Sequence, residues 1–104
     1  MKNWTAIKKS DVLYEIYLNE LDLNQCEDSF WNIIKINPEI WKCRDVIEDN
    51  FWIVAKYNNY IIWYNDIVES FNLSKFVLEG EILQYSASKY SLNEILKLLK
   101  KMNI

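Results

Sequence analysis

Residues 51–65 constrain this chain more than any other stretch. Phe51-Trp52-Ile53-Val54-Ala55-Lys56-Tyr57 and Tyr60-Ile61-Ile62-Trp63-Tyr64-Asn65 are aromatic and β-branched runs separated only by Asn58-Asn59. Such residues suit a pleated strand, and Asn tolerates the positive φ of a two-residue turn, so the stretch predicts an antiparallel hairpin. In an unbroken register Phe51, Ile53, Ala55 and Tyr57 share one face with Tyr60, Ile62 and Tyr64. Trp52, Val54 and Lys56 join Ile61, Trp63 and Asn65 on the other. Both faces are largely apolar. A sheet built on this hairpin therefore needs helices over one face, and partial cover or a partner on the other.

The flanking sequence supplies the helices. Ser10 and Asp11 suit the start of a helix over residues 10–23, and Val12, Leu13, Ile16, Tyr17 and Leu21 recur there at spacings of three and four. They predict one apolar stripe. A second helix follows Asn24, with Glu27 as capping-box partner, Phe30, Ile33 and Ile34 facing inward and Trp31 near the rim. Pro38 is expected to stop it, and residues 39–44 fit either a short strand or a helical turn. Residues 66–78 read as a connecting loop, and residues 81–86 as another strand after Gly80. Ser91 and Glu94 frame a capping box for the last helix, whose buried face is Leu92, Ile95, Leu96, Leu99 and Met102. Lys97, Lys100 and Lys101 complement the negative end of its dipole. The predicted architecture is α+β: two N-terminal helices, an antiparallel meander of three or four strands, and a C-terminal helix packed on the sheet. With 104 residues, 1–104 reads as a single domain.

Composition narrows the chemistry. Histidine is absent, which removes the commonest general base, the commonest metal ligand and every Ser-His or Cys-His pair. Cys26 and Cys43 lack CxxC spacing and read as reduced thiols rather than zinc ligands. Walker, dinucleotide-binding and EF-hand motifs are missing, so neither a cofactor nor an enzyme is expected. The formal charge of −3 and a pI near 4.9 argue against nucleic-acid binding, which needs a basic surface. No window reaches the roughly 18 apolar residues of a membrane span, and residues 1–5 lack the apolar stretch of a signal peptide. A cytoplasmic monomer is the expectation.

Charge distribution carries the functional clue. Asp11, Glu15, Glu20, Asp22, Glu27, Asp28 and Glu39 face one base, Lys35, between residues 10 and 39. The hairpin geometry predicts a second group, because the segments entering and leaving it meet at one open end. That end gathers Asp45, Glu48, Asp49, Asp66 and Glu69, with Arg44 as the nearby cation and Trp52 and Trp63 as possible aromatic anchors. Solvated loop charge that blunts a sheet edge and adventitious calcium binding are competing readings of the group. The functional one is a negative patch that steers a basic partner; charge reversal at Glu48, Asp49 and Asp66 would then slow association.

The runs Phe51-Trp52-Ile53-Val54-Ala55, Ile62-Trp63-Tyr64-Asn65-Asp66-Ile67 and Glu69-Ser70-Phe71-Asn72 resemble a pattern of small bacterial immunity proteins. Those proteins belong to polymorphic-toxin and contact-dependent growth inhibition systems. Phe30-Trp31, Pro38 and Trp41 upstream and residues 85–94 downstream fit the same layout, so the resemblance spans residues 30–96. Ser70 stands where glycine would be expected. The resemblance implies a cytoplasmic antitoxin that binds the C-terminal toxin domain of a cognate effector, often a nuclease, and blocks its active site or substrate access. The alternative is a phage-encoded inhibitor or nucleic-acid mimic of the anti-restriction or anti-CRISPR type, for which a charge of −3 is mild.

Overall fold

The hairpin forms the middle of a five-stranded sheet. The computed structural model describes residues 7–45 and 49–102. Its strands are β1 (Lys35–Cys43), β2 (Asn50–Tyr57), β3 (Tyr60–Asn65), β4 (Ser70–Lys75) and β5 (Glu81–Ile82), in the order β4-β3-β2-β1-β5. Three helices accompany them among the described residues: α1 (Lys9–Glu20), α2 (Gln25–Ile34) and α3 (Leu92–Met102). The α+β class and the antiparallel meander are as expected. The meander comprises β1 to β4, and β5 then joins the outer edge of β1 in parallel, which makes the sheet mixed.

The hairpin turn has the predicted chemistry. Tyr57 pairs with Tyr60 across the turn, and Asn58 takes a φ of +54°, a conformation that Asn adopts at little cost. The register beyond it differs from an unbroken ladder. Ala55 pairs with Ile62 and Ile53 with Trp63, which leaves Val54 as an extra residue. A bulge of this kind exchanges the faces of every residue past it. Val54 and Ala55 consequently both join the core beneath the helices, with Ile62 and Tyr64. Phe51 and Ile53 pass to the opposite face, beside Ile61 and Trp63. The predicted grouping of Phe51 and Ile53 with Ile62 and Tyr64 is corrected accordingly.

Both sheet faces are buried by the chain itself. On one face Val12 and Ile16 of α1, Trp31 and Ile34 of α2, and Leu92, Ile95, Leu96 and Leu99 of α3 close over β2, β3 and β4. On the other, Trp41, Cys43, Phe51, Ile53, Ile61, Trp63 and Ile82 form a second core, with Ile36, Phe76 and Tyr85 packed at its margin. Phe76 meets Trp41 edge-on with ring centroids 5.2 Å apart, and Tyr85 lies 6.0 Å from Phe51 and 6.1 Å from Trp63. Non-helical chain therefore supplies the second cover.

Several local expectations shift for identifiable reasons. α2 has its capping box, with Asn24 Oδ1 accepting from Glu27 N at 2.8 Å. The helix ends at Ile34, four residues before Pro38, and residues 39–43 belong to β1. Pro38 sits where the β1–β2 register jumps between Lys35 and Glu39, a break that accommodates a residue with no N–H to donate. Trp31, not Ile33, turns inward: its indole donates to Glu20 Oε2 at 2.8 Å, whereas Ile33 is 77% exposed. The segment read as a loop over residues 66–78 contains β4, and the strand predicted over 81–86 keeps only two residues. α3 is capped by Ser91 and Glu94 as expected, while Met102 is exposed. Its Leu92 N–H also donates to Asn19 Oδ1 at 3.0 Å, which fixes α1 against the start of α3.

α1 departs furthest. It begins at Lys9, so Ser10 lies inside it, and Lys8 at the cap position makes no side-chain capping bond. Val12 and Ile16 are buried, but Leu13, Tyr17 and Leu21 of the predicted stripe face outward. Trp63→Ala should destabilise the chain by about 3–5 kcal/mol, because it opens a cavity in the second core. Tyr17→Ala should cost no more than about 0.5 kcal/mol; chemical denaturation of the two variants checks the contrast.

Candidate functional site

The open end of the sheet is where the predicted carboxylates belong. Residues 44, 45 and 49 between β1 and β2, the turn at residues 66–69 and the segment at residues 83–90 all lie there, because Trp52 at the start of β2 pairs with Tyr64 near the end of β3. The carboxylates nevertheless separate. Asp45 Oδ2 accepts from Tyr85 N at 2.8 Å, so this side chain holds residues 83–90 in place. Asp49 is buried, and its backbone carbonyl accepts from Cys43 N at 2.6 Å. Both belong to the Cys43 side of the sheet, and burial makes Asp49 unsuitable as a contact residue. Glu48 lies outside the described residues. Arg44 pairs with Glu81 at 2.6 Å.

Asp66 and Glu69 turn to the helical side, where they meet carboxylates from α1. Asp11, Glu15, Asp66 and Glu69 line a groove of about 290 Å³ together with Tyr14 and Tyr64. A neighbouring hollow of about 360 Å³ shares Glu15, Tyr64 and Glu69 and adds Lys89 and Glu94. The grouping joins two acidic regions that the sequence lists separately. Asp11 and Glu15 belong to the acidic N-terminal stretch, and nothing in their local spacing shows that they reach the β3–β4 turn. Among the described residues, no three His, Cys, Asp or Glu side chains are placed to share a metal ion.

The turn itself is built to hold Glu69 at the groove. Asn65 Oδ1 accepts from Ile67 N at 3.0 Å, an Asx-type start to the turn. Asn65 Nδ2 donates to Tyr85 Oη at 3.0 Å and to Ser86 O at 2.9 Å. Asn72 Oδ1 accepts from Ser86 Oγ and Ser88 N, and Ser70 Oγ donates to Ser88 O at 2.7 Å. These bonds strap residues 86–88 to the ends of β3 and β4. The residue that takes the left-handed conformation is Glu69, at φ +54°, next to the Ser70 position where glycine was expected. Side chains with a Cβ adopt this region at a cost of about 1–2 kcal/mol.

The two proposed aromatic anchors have structural partners. Trp63 is 0% exposed and its indole donates to Ser74 Oγ at 3.0 Å, so it offers no surface to a partner. Trp52 is half-buried on the helical side, donating to Ile7 O at 2.7 Å. Tyr14, 59% exposed at the lip of the groove, is the aromatic that the sequence reading missed.

Electrostatics follow this division. Burial pushes the Tyr64 phenol up to about 12, and Glu15, Glu69 and Asp66 reinforce the shift. Burial likewise pushes the Cys43 thiol up to about 11, with Asp45 and Asp49 adding to it. Each group keeps its proton in the folded chain after its unfolded counterpart, at ordinary values of 10.0 and 9.0, would have lost it. Their contribution to stability is thus complete below about pH 9 and is lost as pH rises through 11 and 12.

No protein-family model, curated protein or solved structure matches the chain. Among the described residues, no helix is long and apolar enough to cross a membrane.

Alkaline titration followed by tyrosinate absorbance should show Tyr64 titrating late, and Glu15→Gln with Glu69→Gln should lower its midpoint while burial still holds it above 10.0. Glu69→Gly should stabilise the chain by about 0.5 kcal/mol, since relief of left-handed strain slightly exceeds the entropy that glycine adds to the unfolded state; equilibrium denaturation measures it.

Proposed function

We propose that this chain is a binding protein that neutralises a basic protein domain, with the acidic groove between α1 and the β3–β4 turn as its contact site. The observation that carries the reading is the convergence of Asp11, Glu15, Asp66 and Glu69 on one groove from elements some fifty residues apart in sequence. Carboxylates drawn together in this way repel one another, and a Lys or Arg from a partner would relieve that repulsion. Tyr14 beside them provides the amphipathic ring that interfaces favour. The left-handed Glu69 adds weight, because strain at a carboxylate that glycine would relieve fits a site kept for binding.

The partner class comes from the resemblance of residues 30–96 to immunity proteins of polymorphic-toxin systems. On that reading the target is the toxic C-terminal domain of a cognate effector, and the basic substrate-binding surface of a nuclease is the chemistry that an acidic inhibitor would cover. Neutralisation requires only that the chain occupy this surface, so no catalytic group of its own is needed.

Co-expression with a toxin domain, sought among the genes neighbouring the one for this chain, tests the proposal. The wild-type chain should rescue growth and co-elute with the domain in gel filtration. Glu15→Lys with Glu69→Lys should retain the circular dichroism of the wild type, lose rescue, and slow association by about tenfold at low salt. No rescue and no complex with the wild-type chain would sink the reading.

A further inference from the structure

α1 is apolar on two sides, and only one of them is used. Val12 and Ile16 face the core, yet Leu13, Tyr14, Tyr17, Leu18 and Leu21 are between 38% and 65% exposed. At about 100° per residue these five fall within one arc of roughly 140° on the helix surface, so they form a single outward stripe. Five large apolar side chains on one exposed helix face make a contiguous patch of the few-hundred-Å² class that marks interaction surfaces. Among the described residues the core side of α1 is filled by Val12 and Ile16, and these five belong to neither core.

Carboxylates border the stripe on both sides. The same helical geometry sets Asp11 and Glu15 along the edge beside Leu18, and Glu20 along the edge beside Leu13. Asp22 follows just past the end of the helix. Glu20 already accepts from Trp31 and lies 3.9 Å from Lys35, whereas Asp11 and Glu15 open onto the groove. Lys8 and Lys9 lie at the N-terminal end of the helix, away from Tyr17 and Leu21. In an antiparallel pair of copies Lys8 and Lys9 would reach only Glu20 and Asp22 at the far end of the other helix, while Glu15, near the middle, would meet its own counterpart; a basic segment would relieve all of these carboxylates.

We infer that the outward face of α1 docks an amphipathic, basic helical segment of a partner protein: an apolar strip inserted along Leu13, Tyr17 and Leu21, flanked by Lys or Arg that meet Asp11, Glu15 and Glu20. The inference rests on the protein-binding reading above and extends it, since the groove forms one border of this face. It specifies what that reading leaves open, namely the shape of the partner's contact. Helix-on-helix packing supplies the apolar contact, and the bordering charges set orientation and partner choice.

A synthetic 14-residue peptide of Leu and Lys, arranged to be amphipathic as a helix, is the probe. Its two controls are a scrambled peptide of identical composition and a Leu/Glu peptide of the same pattern. The full-length chain should bind the Leu/Lys helix at least about tenfold more tightly than the scrambled peptide, and should not bind the Leu/Glu helix. Leu13→Ser with Tyr17→Ser and Leu21→Ser, all exposed positions, should keep the wild-type melting temperature and weaken peptide binding by at least about tenfold. Glu69→Gln, off the stripe, should change it by less than about threefold.

Equal binding of the scrambled peptide, or unchanged binding by the triple serine variant, would overturn the inference. So would a wild-type dimer that the triple variant converts to monomer, because a second copy would then be the natural occupant. The two readings fail separately. Should Glu69→Lys, a groove position off the α1 face, still rescue cells while the peptide results hold, the groove reading falls and the docking face stands. Should rescue need the groove while the triple variant binds the peptide like the wild type, the docking face alone falls.

Discussion

One extra residue in β2 governs the arrangement of this fold. With Val54 bulged out of the ladder, Ile53 pairs with Trp63 and Ala55 with Ile62. Everything between the bulge and the start of β2 changes sides. The large rings of Phe51 and Trp63, 4.9 Å apart, are thereby set together on the face away from the helices. Small Val54 and Ala55 are left beneath Trp31 and α3. A helix layer packs closely over small side chains, whereas the opposite face needs a filler of irregular shape. The bulge assigns each set of side chains to the cover that can enclose it.

That second cover is non-helical chain held by polar bonds. After β4 the chain crosses the second core with Phe76, adds β5 beside β1, and returns over the open end through Tyr85 to Tyr90, where Phe71 N donates to Tyr90 O at 2.9 Å. Such a segment has no ladder of its own to satisfy its backbone. Asn65 Nδ2, Asn72 Oδ1, Ser70 Oγ and Asp45 Oδ2 supply those partners. The open end is thus divided between a structural half, built around Asp45 and Cys43, and a half facing α1 where Glu15, Asp66 and Glu69 surround Tyr64. The same end of one sheet serves stability on one face and carries the proposed recognition site on the other.

The proposed recognition surface is accordingly a property of α1 as much as of the turn. Asn19 anchors this helix by accepting from the first amide of α3, and its own Nδ2 donates to Glu15 O at 2.8 Å. A helix fixed at that point presents its carboxylates and outward apolar residues with little freedom to rearrange, and a partner would lose little entropy in meeting them. The chain concentrates here a group of carboxylates, a left-handed Glu69 and solvent-facing Leu and Tyr side chains.

How much of this was legible beforehand depends on the range of the interaction that decides each feature. The Asn58-Asn59 turn, the Asn24–Glu27 and Ser91–Glu94 caps and the buried face of α3 from Leu92 to Leu99, though not Met102, are settled by neighbours within four residues, and the amino-acid order alone determined them. Spacing also showed that residues 51–65 need cover on both faces. It could not show the Val54 bulge, because alternation reads the same with or without an extra residue until a partner strand sets the register. Nor could it tell which half of the α1 stripe would be buried, since Leu13 and Ile16 are equally apolar and only the position of the sheet distinguishes them. The pairing of Glu15 with Glu69 and the parting of Asp45 from Asp66 were decided in the same way. A carboxylate's neighbours across some fifty residues follow from how the layers stack, and that is a three-dimensional fact with no signature in local spacing.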